Sequence, residues 1–302
     1  MSPSEKSLHV RKAVVPAAGL GTRHFPASHA VKKELFPVVG PDGIARALIH
    51  YHLLELVRAG IEEICIIVQP GDDRPIRDYL EGPDEVYLQR LAKYPELLAE
   101  ARQMRELAGR VCFSIQHEQE GYGHAVFQTQ PFADGEPVLL CLGDHLFRGS
   151  PVSPYLELAQ MAARSGGRSV SAVNRILPHE LKGYGTIAGT RRPGNPRLID
   201  VSLIIEKPEV AIAREKLIVD GLEDDVFLGW FGMHLLAPSI YEILGEMIRD
   251  NVRDNGEFQL TRAQEIQRRR EGYLALEMEN AERFDFGVPD DFVRSVQAFR
   301  KL

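Results

Sequence analysis

The sequence has 302 residues, of which 44% are apolar and 26% are charged, a composition typical of a globular protein with a sizeable core. Its 36 lysines and arginines against 43 aspartates and glutamates give a formal net charge of -7. This balance gives no electrostatic reason to expect nucleic acid or an anionic membrane as a partner, so any phosphate must be bound by a few placed cations.

The amino-terminal segment 1–11 is polar and of mixed charge, without the apolar stretch of a secretory signal, and no later segment is long enough to cross a bilayer. We therefore expect a cytoplasmic protein. The three cysteines, Cys65, Cys112 and Cys141, each lie in an apolar run, and none is close to another in sequence. They predict buried thiols rather than a disulfide framework or a zinc site.

The first half of the chain predicts strands that alternate with helices. An unbroken apolar run over 12–17 suits a strand buried on both faces, and a glycine-rich loop follows it. Apolar residues at helical spacing over 44–59 end at Gly60, and the run 61–68 predicts a second core strand. These elements form a βαβ unit.

A polar, helix-prone stretch over 84–109 separates the second strand from a third at 111–116. Pro95 is expected to kink or divide this stretch, which we predict to lie outside the sheet. A helix near 125–130 then leads to a strand at 138–142. This pattern predicts a parallel, doubly wound arrangement, in which ligands collect beyond the carboxyl ends of the strands.

The second half is less regular and favours a mixed sheet. Strands are predicted at 169–174, 185–189, 198–206 and 227–236, and helices near 151–165, 239–250 and 259–271. The fold class is therefore α/β, with a doubly wound, mostly parallel (mixed), Rossmann-like sheet. No internal repeat, low-complexity tract or long linker divides the sequence, which favours a single domain over 1–302.

The sharpest local signal is the turn PAAGLGTR at 16–23, which follows the first strand and precedes Lys33 and Glu34 by about ten residues. Glycines at such a turn let backbone N–H groups approach an anion, and Arg23 and Lys33 can neutralise a polyphosphate. The turn is not a Walker loop, and it lacks the third glycine of the dinucleotide fingerprint. By itself, a glycine-rich turn after a strand is more often only a tight turn.

The longer string GLGTRHFPASHAVKKELFPV resembles the GxGTRxxP…PKExxP pattern of bacterial UTP:glucose-1-phosphate uridylyltransferases and their nucleotidyltransferase relatives. The resemblance implies a GT-A-like nucleotidyltransferase fold. It also implies that Arg23 and Lys33 stabilise the departing pyrophosphate. Lys32 stands where the family often has proline, which leaves open which of the two lysines faces the substrate. The residues it places around the nucleotide triphosphate are Ala18, Gly19, Gly21 and Thr22.

The string GYGHAV at 121–126 is similar to the GLGHAV turn of the same family and follows Gln119 at a short distance. The resemblance implies that Gln119 and Gly123 read the pyrimidine. A side-chain amide offers the donor and the acceptor that the uracil edge requires. A glycine entry to a helix would explain Gly123 equally well, and we interpret His124 as structural.

Two aspartates are candidate ligands for Mg²⁺. Asp144 follows an apolar strand, where ligands collect, and it matches the strand-terminal metal aspartate of the family; it lies too far upstream to cap a helix at 150–154. Asp285, in the string FDFG, resembles the DxG segment that supplies the second ligand. His145 stands in place of a second acid after Asp144, and Val288 and Pro289 depart from the residues that usually follow DxG.

The sugar is expected at two further strings, GYG at 183–185 and EKP at 206–208. The resemblance implies that Gly185 and Glu206 contact the sugar and that Lys207 pairs with its phosphate. Glu-Lys alone is a common surface dipeptide. The string GEFQLT at 256–261 resembles the GEIQLTDA stretch of the family, with Arg262 in place of the aspartate, and we interpret it as a helix cap.

The ordered motifs extend from about residue 12 to residue 299 and imply uridylyl transfer from UTP to glucose 1-phosphate. The nucleotide would bind to the half over about 1–168 and the sugar phosphate to the half over about 169–302. The implied catalytic residues are Arg23, Lys33, Asp144 and Lys207. Two alternatives stay open: thymidylyl transfer from dTTP, and a catalytically silent relative that binds nucleotide sugars. A homo-oligomer, dimer or tetramer, is expected from the family, and the apolar carboxyl-terminal helix around Phe292 and Phe299 suits either an interface or packing on its own domain.

Overall fold

The computed structural model describes residues 9–301, which form 13 strands and 12 α-helices, here numbered in chain order. The strands are β1 (Lys12–Pro16), β2 (Pro37–Val39), β3 (Ala45–Ala47), β4 (Glu63–Val68), β5 (Val111–Ile115), β6 (Val138–Cys141), β7 (His145–Gly149), β8 (Val170–Ile176), β9 (Gly185–Arg192), β10 (Asn195–Glu206), β11 (Phe227–Leu236), β12 (Leu274–Glu277) and β13 (Ala281–Asp285). The helices are α1 (Ala27–Ala30), α2 (Leu48–Arg58), α3 (Asp73–Glu81), α4 (Glu85–Leu91), α5 (Pro95–Ala108), α6 (Tyr122–Phe127), α7 (Gln130–Ala133), α8 (Pro154–Gln160), α9 (Val210–Lys216), α10 (Ser239–Arg249), α11 (Leu260–Glu271) and α12 (Pro289–Phe299).

One nine-stranded sheet runs through both halves of the chain, in the order β5-β4-β1-β6-β11-β8-β12-β10-β9. The four strands from the first half are parallel, as predicted. Beyond β6, the pairings of β11 with β6 and β8 and of β10 with β9 and β12 are antiparallel, whereas β12 and β8 are parallel. The prediction of a mixed α/β sheet is confirmed.

The central strands read as unbroken apolar runs because helices cover both faces of the sheet. Val15 and Ile66 point to the face that packs on α2 and α3, and Val14 and Ile67 point to the face that packs on α6, α10 and α11. This alternation follows from the period of two along a strand. Both faces are therefore buried along β1, β4 and β6. The glycine-rich turn begins just beyond the carboxyl end of β1.

Three predicted helices have different bounds. The segment predicted as a helix over 44–59 begins as β3, which pairs with β2 in a hairpin, and only Leu48–Arg58 is helical. The helix predicted near 125–130 is divided into α6 and α7, and that predicted over 151–165 begins at Pro154 and tightens into a 3₁₀ turn after Gln160. Pro95 divides 84–109 as predicted, because it occupies the first turn of α5.

The sequence analysis missed the two-stranded ribbon of β7 and β13. In this ribbon Asp285 pairs with His145 and Phe284 with Leu146. The ribbon therefore brings the residue after Asp144 next to the second candidate metal ligand. Neither strand is long or strongly periodic, and their pairing joins segments that are far apart in sequence.

The prediction of three buried thiols is wrong for Cys112. Cys65 and Cys141 are buried, but Cys112 is exposed because β5 is the edge strand of the sheet. At the carboxyl terminus, Phe299 of α12 is buried against Phe284 and Tyr51 of its own chain. Among residues 9–301, no helix has both the length and the apolar character needed to cross a membrane.

Candidate active site

A cavity of about 560 Å³, here called the nucleoside pocket, opens beside the carboxyl end of β1. Its walls come from the glycine-rich turn, from the segment around Lys33, from the turn before α6 and from Glu257. The nucleotide-site residues predicted from sequence that line it are Ala18, Gly19, Thr22, Lys33 and Gln119.

Gly21 and Gly123 do not line the pocket, but they allow the turns that form its walls. Gly21 has φ of 65° and begins the 3₁₀ turn that carries Arg23, which is exposed. A Cβ at Gly123 would lie 2.7 Å from the carbonyl oxygen of Phe258, to which the Gly123 amide donates a hydrogen bond of 2.8 Å. A larger residue at Gly123 would therefore push the turn away from the segment that precedes α11.

The two adjacent lysines point to different partners. Lys33 donates a hydrogen bond of 2.6 Å to Oδ2 of Asp144, at the wall of the nucleoside pocket. Lys32 instead lies 2.5 Å from a carboxylate oxygen of Asp72, at the start of α3. Although burial alone would lower it, the pKa of Lys33 is raised by the charges of Asp144 and Glu34. The structure thus selects Lys33 as the lysine that faces the pocket and keeps it cationic.

Glu34 is a pocket residue to which the sequence analysis gave no role. Its side chain is fully buried, it lines the nucleoside pocket, and neither carboxylate oxygen has a hydrogen-bond partner among the described residues. Burial raises the pKa of Glu34 to about 7, against the charge of Lys33. Nζ of Lys33 lies 3.8 Å from Oε1 of Glu34, but a buried carboxyl group without a hydrogen bond is costly, so this group is suited to a ligand. The only sequence signal was its place directly after Lys33.

Tyr122 and Gln116 also extend the predicted pocket. The hydroxyl of Tyr122 is buried without a partner among the described residues, and Tyr122 lines the cavity. Gln116 is buried beside it, with its amide nitrogen 3.4 Å from the carbonyl oxygen of Gly121, whereas the predicted base-reading residue Gln119 is exposed. Gln116 was missed because it was counted as the last residue of a strand.

Lys33, Asp144, His145 and Asp285 form a connected charged cluster, here called the phosphate centre. Nδ1 of His145 lies 2.7 Å from Oδ1 of Asp144, and its Nε2 lies 3.4 Å from Oδ2 of Asp285. Burial alone would raise the pKa of each aspartate, but the hydrogen bond and charge of His145 hold both below the usual range, with the charge and hydrogen bond of Lys33 adding to this at Asp144. Both carboxylates are therefore anionic at neutral pH.

The glycine of the DxG string allows the two aspartates to converge. A Cβ at Gly287 would lie 2.6 Å from Oδ2 of Asp144 and 3.2 Å from Oδ1 of Asp285, so any larger residue would fill the space between them. Two carboxylates that face the same small space are the hard oxygen donors that Mg²⁺ prefers. Within residues 9–301, no group of three or more His, Cys, Asp or Glu side chains is arranged to hold a metal ion. These two carboxylates fit an ion whose other ligands are phosphates and water.

Gly185, Glu206 and Thr261 lie together at the predicted sugar end of the site. Gly185 and Glu206 pair across β9 and β10, and Thr261 donates a hydrogen bond of 2.6 Å to Oε2 of Glu206. Lys207 follows with φ of 46°, its side chain exposed and its Nζ 3.7 Å from Glu206. Glu206 and Lys207 border a cavity of about 630 Å³ that Arg262 also lines.

The interpretation of the GEFQLT string as a helix cap is wrong. Gln259, the residue before α11, makes no side-chain bond to the first turn of that helix and donates to Glu257 instead. The string connects the two ends of the site, because Phe258 holds the Gly123 turn and Thr261 holds Glu206. The sequence pattern located this segment correctly but assigned it the wrong contacts.

The chain belongs to the nucleotidyl transferase family, whose profile matches residues 12–296. The chain is 31% identical over 288 residues to UTP–glucose-1-phosphate uridylyltransferase 2 of Staphylococcus saprophyticus, covering 95% of this chain and 90% of that protein. The UTP-bound UGPase from Acinetobacter baumannii is similar in structure, with a TM-score of 0.78, 26% identity and coverage of 96% of this chain and 93% of that chain. An apo UDP-glucose pyrophosphorylase has a TM-score of 0.78, with 25% identity and coverage of 97% and 98%. The family inferred from the motifs is confirmed.

Proposed function

We propose that this protein transfers a uridylyl group from UTP to glucose 1-phosphate, with Mg²⁺, and forms UDP-glucose and pyrophosphate. The observation that carries the proposal is the contact of 2.6 Å between Lys33 and Asp144, which joins the nucleoside pocket to the phosphate centre. The names of the similar proteins support the choice of UTP and glucose 1-phosphate.

The reaction is an in-line displacement at the α-phosphorus of UTP. A phosphate oxygen of glucose 1-phosphate forms the new bond, the bond between the α-phosphorus and the bridging oxygen breaks, and the electron pair leaves with pyrophosphate. The attacking phosphate is already ionised at neutral pH, so no general base is needed. Catalysis then depends on positioning and on neutralisation of charge.

The chain supplies that charge from three directions. Lys33, cationic beside Asp144, contacts the α-phosphate or the leaving group, and Arg23 on the exposed turn binds the departing pyrophosphate. Lys207, at the end of β10, pairs with the phosphate of the sugar. Backbone amides around Ala18, Gly19 and Thr22 hold the remaining phosphate oxygens.

Asp144 and Asp285 would hold the metal ion. Bound Mg²⁺ would act as a Lewis acid and neutralise phosphate charge during the transfer. His145 contacts Oδ1 of Asp144 and Oδ2 of Asp285 and so orients the two carboxylates that would hold the ion. Gly287 keeps the space beside their other oxygens, Oδ2 of Asp144 and Oδ1 of Asp285, free of a side chain.

Gln119 is proposed to read the uracil edge, as its place on the pocket wall allows. The buried groups of Glu34 and Tyr122, unpartnered within the described chain, are proposed to bind polar groups of the same nucleotide. A ligand that forms hydrogen bonds to both groups removes the free-energy cost of burying them without hydrogen bonds. This gain favours binding of that ligand over ligands that cannot form the same bonds.

Pyrophosphate release by the purified protein tests the proposal, with Mg²⁺ and with UTP, dTTP, ATP, CTP or GTP paired with a panel of sugar 1-phosphates. We expect the largest kcat/KM with UTP and glucose 1-phosphate. A higher kcat/KM with dTTP would replace the proposal with thymidylyl transfer. Binding of UDP-glucose without pyrophosphate release from any pair would favour the catalytically silent relative.

A further inference from the structure

His24 is a partly buried residue to which the proposed reaction gives no role. It directly follows Arg23, in the short 3₁₀ turn that begins after Gly21. Its Nε2 lies 2.9 Å from the carbonyl oxygen of Phe286, which is 262 residues further along the chain. A carbonyl oxygen can only accept a hydrogen bond, so Nε2 is the donor. The bond therefore joins the turn that carries Arg23 to the FDFG string of Asp285.

The segment 20–31 around this turn has few other attachments to the protein. Its 3₁₀ turn and α1 contain no buried residue, and its large apolar side chains, Leu20, Phe25 and Val31, are exposed. Its backbone hydrogen bonds connect residues within the segment. Among residues 9–301, the bond from His24 is the only hydrogen bond that leads out of it. Because so little of the segment is buried, its position depends largely on His24.

The imidazole ring of His24 also packs on two aromatic side chains. Phe36 and Phe292 meet the ring edge to face, with ring centroids 5.3 Å and 5.8 Å away. Phe36 follows the 3₁₀ turn that begins at Lys33, and Phe292 belongs to α12. Edge-to-face contacts of this kind stabilise a ring beyond the effect of its burial. The ring is therefore held between the segment of Lys33 and the helix that follows the FDFG string.

Phe286 connects the bond from His24 to both candidate metal ligands. Its amide donates a hydrogen bond of 2.8 Å to the carbonyl oxygen of Asp144, while its own carbonyl accepts from His24. It directly follows Asp285, the last residue of β13. One residue thus contacts the backbone of Asp144, the end of β13 and the imidazole. These contacts set the place of the Arg23 turn relative to the two carboxylates.

We infer that His24 is a positioning residue, whose hydrogen bond to Phe286 holds the turn of Arg23 in a fixed place relative to the phosphate centre. The inference rests on the proposed function, because the proposed task of Arg23 is to bind the departing pyrophosphate. The charge on a leaving group is stabilised best by groups that already lie at the right distance from it. His24 fixes that distance and acts through the backbone to which it donates.

The test is the variant His24→Phe, which keeps a ring for the aromatic contacts but removes the N–H donor. Its matched partner is His24→Gln, whose side-chain amide can donate to the same carbonyl oxygen. In the reverse reaction, with UDP-glucose and pyrophosphate, we expect His24→Phe to raise the KM for pyrophosphate about fivefold, the factor that one net hydrogen bond supplies. The KM for UDP-glucose should change less than about twofold, and both KM values of His24→Gln should stay within about twofold of the wild type.

Hydrogen exchange examines the same variants without any turnover. The peptide over 20–31 should exchange about fivefold faster in His24→Phe than in the wild type, because the turn then opens without breaking the bond to Phe286. Amides of β6 should exchange at the wild-type rate. The control is His29→Phe, the same change at an exposed histidine of the same segment, and it should alter neither the exchange nor the KM for pyrophosphate.

The outcomes distinguish failure of the inference from failure of the proposed function. An unchanged KM for pyrophosphate or an unchanged exchange rate in His24→Phe would overturn the inference. Equal losses in His24→Gln would overturn it as well, since they would assign the effect to packing of the ring. Absence of turnover in the wild type would overturn the proposed reaction alone. Exchange and the dissociation constant of pyrophosphate from calorimetry, which we expect to be about fivefold weaker in His24→Phe, would then still test His24.

Discussion

The phosphate centre and the nucleoside pocket are adjacent, but their buried polar groups are in opposite states. In the phosphate centre Asp144 is already paired, with Lys33 at 2.6 Å and with His145 at 2.7 Å. In the nucleoside pocket the buried carboxyl of Glu34 and the hydroxyl of Tyr122 have no hydrogen-bond partner within the described chain, although Nζ of Lys33 lies 3.8 Å from Oε1 of Glu34. A ligand that binds in the phosphate centre must therefore replace existing contacts between protein side chains. A ligand that binds in the nucleoside pocket can form hydrogen bonds that the protein side chains lack. Substitutions in the first should abolish turnover, and some in the second should weaken binding while stabilising the protein.

The largest effect is expected for Asp144→Asn in the phosphate centre. Loss of this charge removes the proposed metal ligand and an ion-pair partner of Lys33, so kcat for pyrophosphate release should fall about a thousandfold or more. Circular dichroism should show an unchanged fold. The matched control is Asp200→Asn, since Asp200 pairs with Arg192 at 2.7 Å away from the site, and its activity should stay normal. Near-normal turnover of Asp144→Asn would contradict the metal assignment.

The two lysines provide the next comparison. Lys33→Met should lower kcat about a hundredfold, because it removes the cation that faces the pocket and leaves Asp144 with His145 as its remaining partner. Lys32→Met should change kcat less than about threefold, because Lys32 is paired with Asp72 at 2.5 Å. Steady-state kinetics of both variants measure the difference. Equal losses would show that the contact with Asp144 does not identify the catalytic lysine.

Glu34→Gln should weaken UTP binding about tenfold and yet stabilise the protein without ligand. Burial raises the pKa of Glu34 from 4.5 to about 7 in the folded state, so the folded protein binds more protons than the unfolded chain between these values. Stability therefore declines as the pH rises from about 4.5 to about 7, and the full penalty is present above that. At pH 8 the variant should gain about 1–2 kcal/mol of unfolding free energy, and at pH 5 less.

Urea unfolding at both pH values measures this gain, and Glu277→Gln supplies a control of opposite sign. Glu277 is also a buried carboxylate, but it is paired with Arg175 at 2.8 Å and with Arg191 at 2.6 Å. The substitution should therefore destabilise the protein at pH 8, because it leaves two arginines without the carboxylate charge that neutralises them. A Glu34→Gln variant less stable than the wild type at pH 8 would mean that the ion pair with Lys33, at 3.8 Å, outweighs the cost of burying the carboxylate.

The smallest effect is expected at the sugar end, for Thr261→Val. This change keeps the shape of the side chain but removes the hydrogen bond of 2.6 Å to Glu206. The KM for glucose 1-phosphate should rise about threefold to fivefold, or about 0.6–1 kcal/mol, which lies within the net contribution of a typical intramolecular hydrogen bond. The KM for UTP, measured on the same variant, should not change. A rise in the KM for UTP alone would place Thr261 on the nucleotide side.

The fold was predictable wherever local patterns were strong. The strands β1, β4, β6 and β11 were predicted to within one or two residues, because strands buried on both faces are unbroken apolar runs. The strand β3 was mistaken for the start of a helix and β2 was not predicted, since three residues carry too little periodicity to identify a strand. The division of the chain into a nucleotide half and a sugar half stays a prediction.

For the site, the ordered motifs alone indicated which residues to consider, and the roles assigned to Arg23, Gln119 and Lys207 stay predictions. The sequence did not indicate that His145 lies between Asp144 and Asp285, because the pairing of β7 with β13 joins segments about 140 residues apart.

The sequence by itself determined the family, through motifs that occur in the expected order along the chain. It also determined the parallel half of the sheet, because buried strands and the turns that follow them have a local pattern. The tertiary structure decided which of two adjacent lysines faces the pocket, why Cys112 is exposed and why Glu34 is buried without a hydrogen-bond partner in the described chain. Burial and the pairing of polar groups depend on residues distant in sequence, which no local pattern encodes.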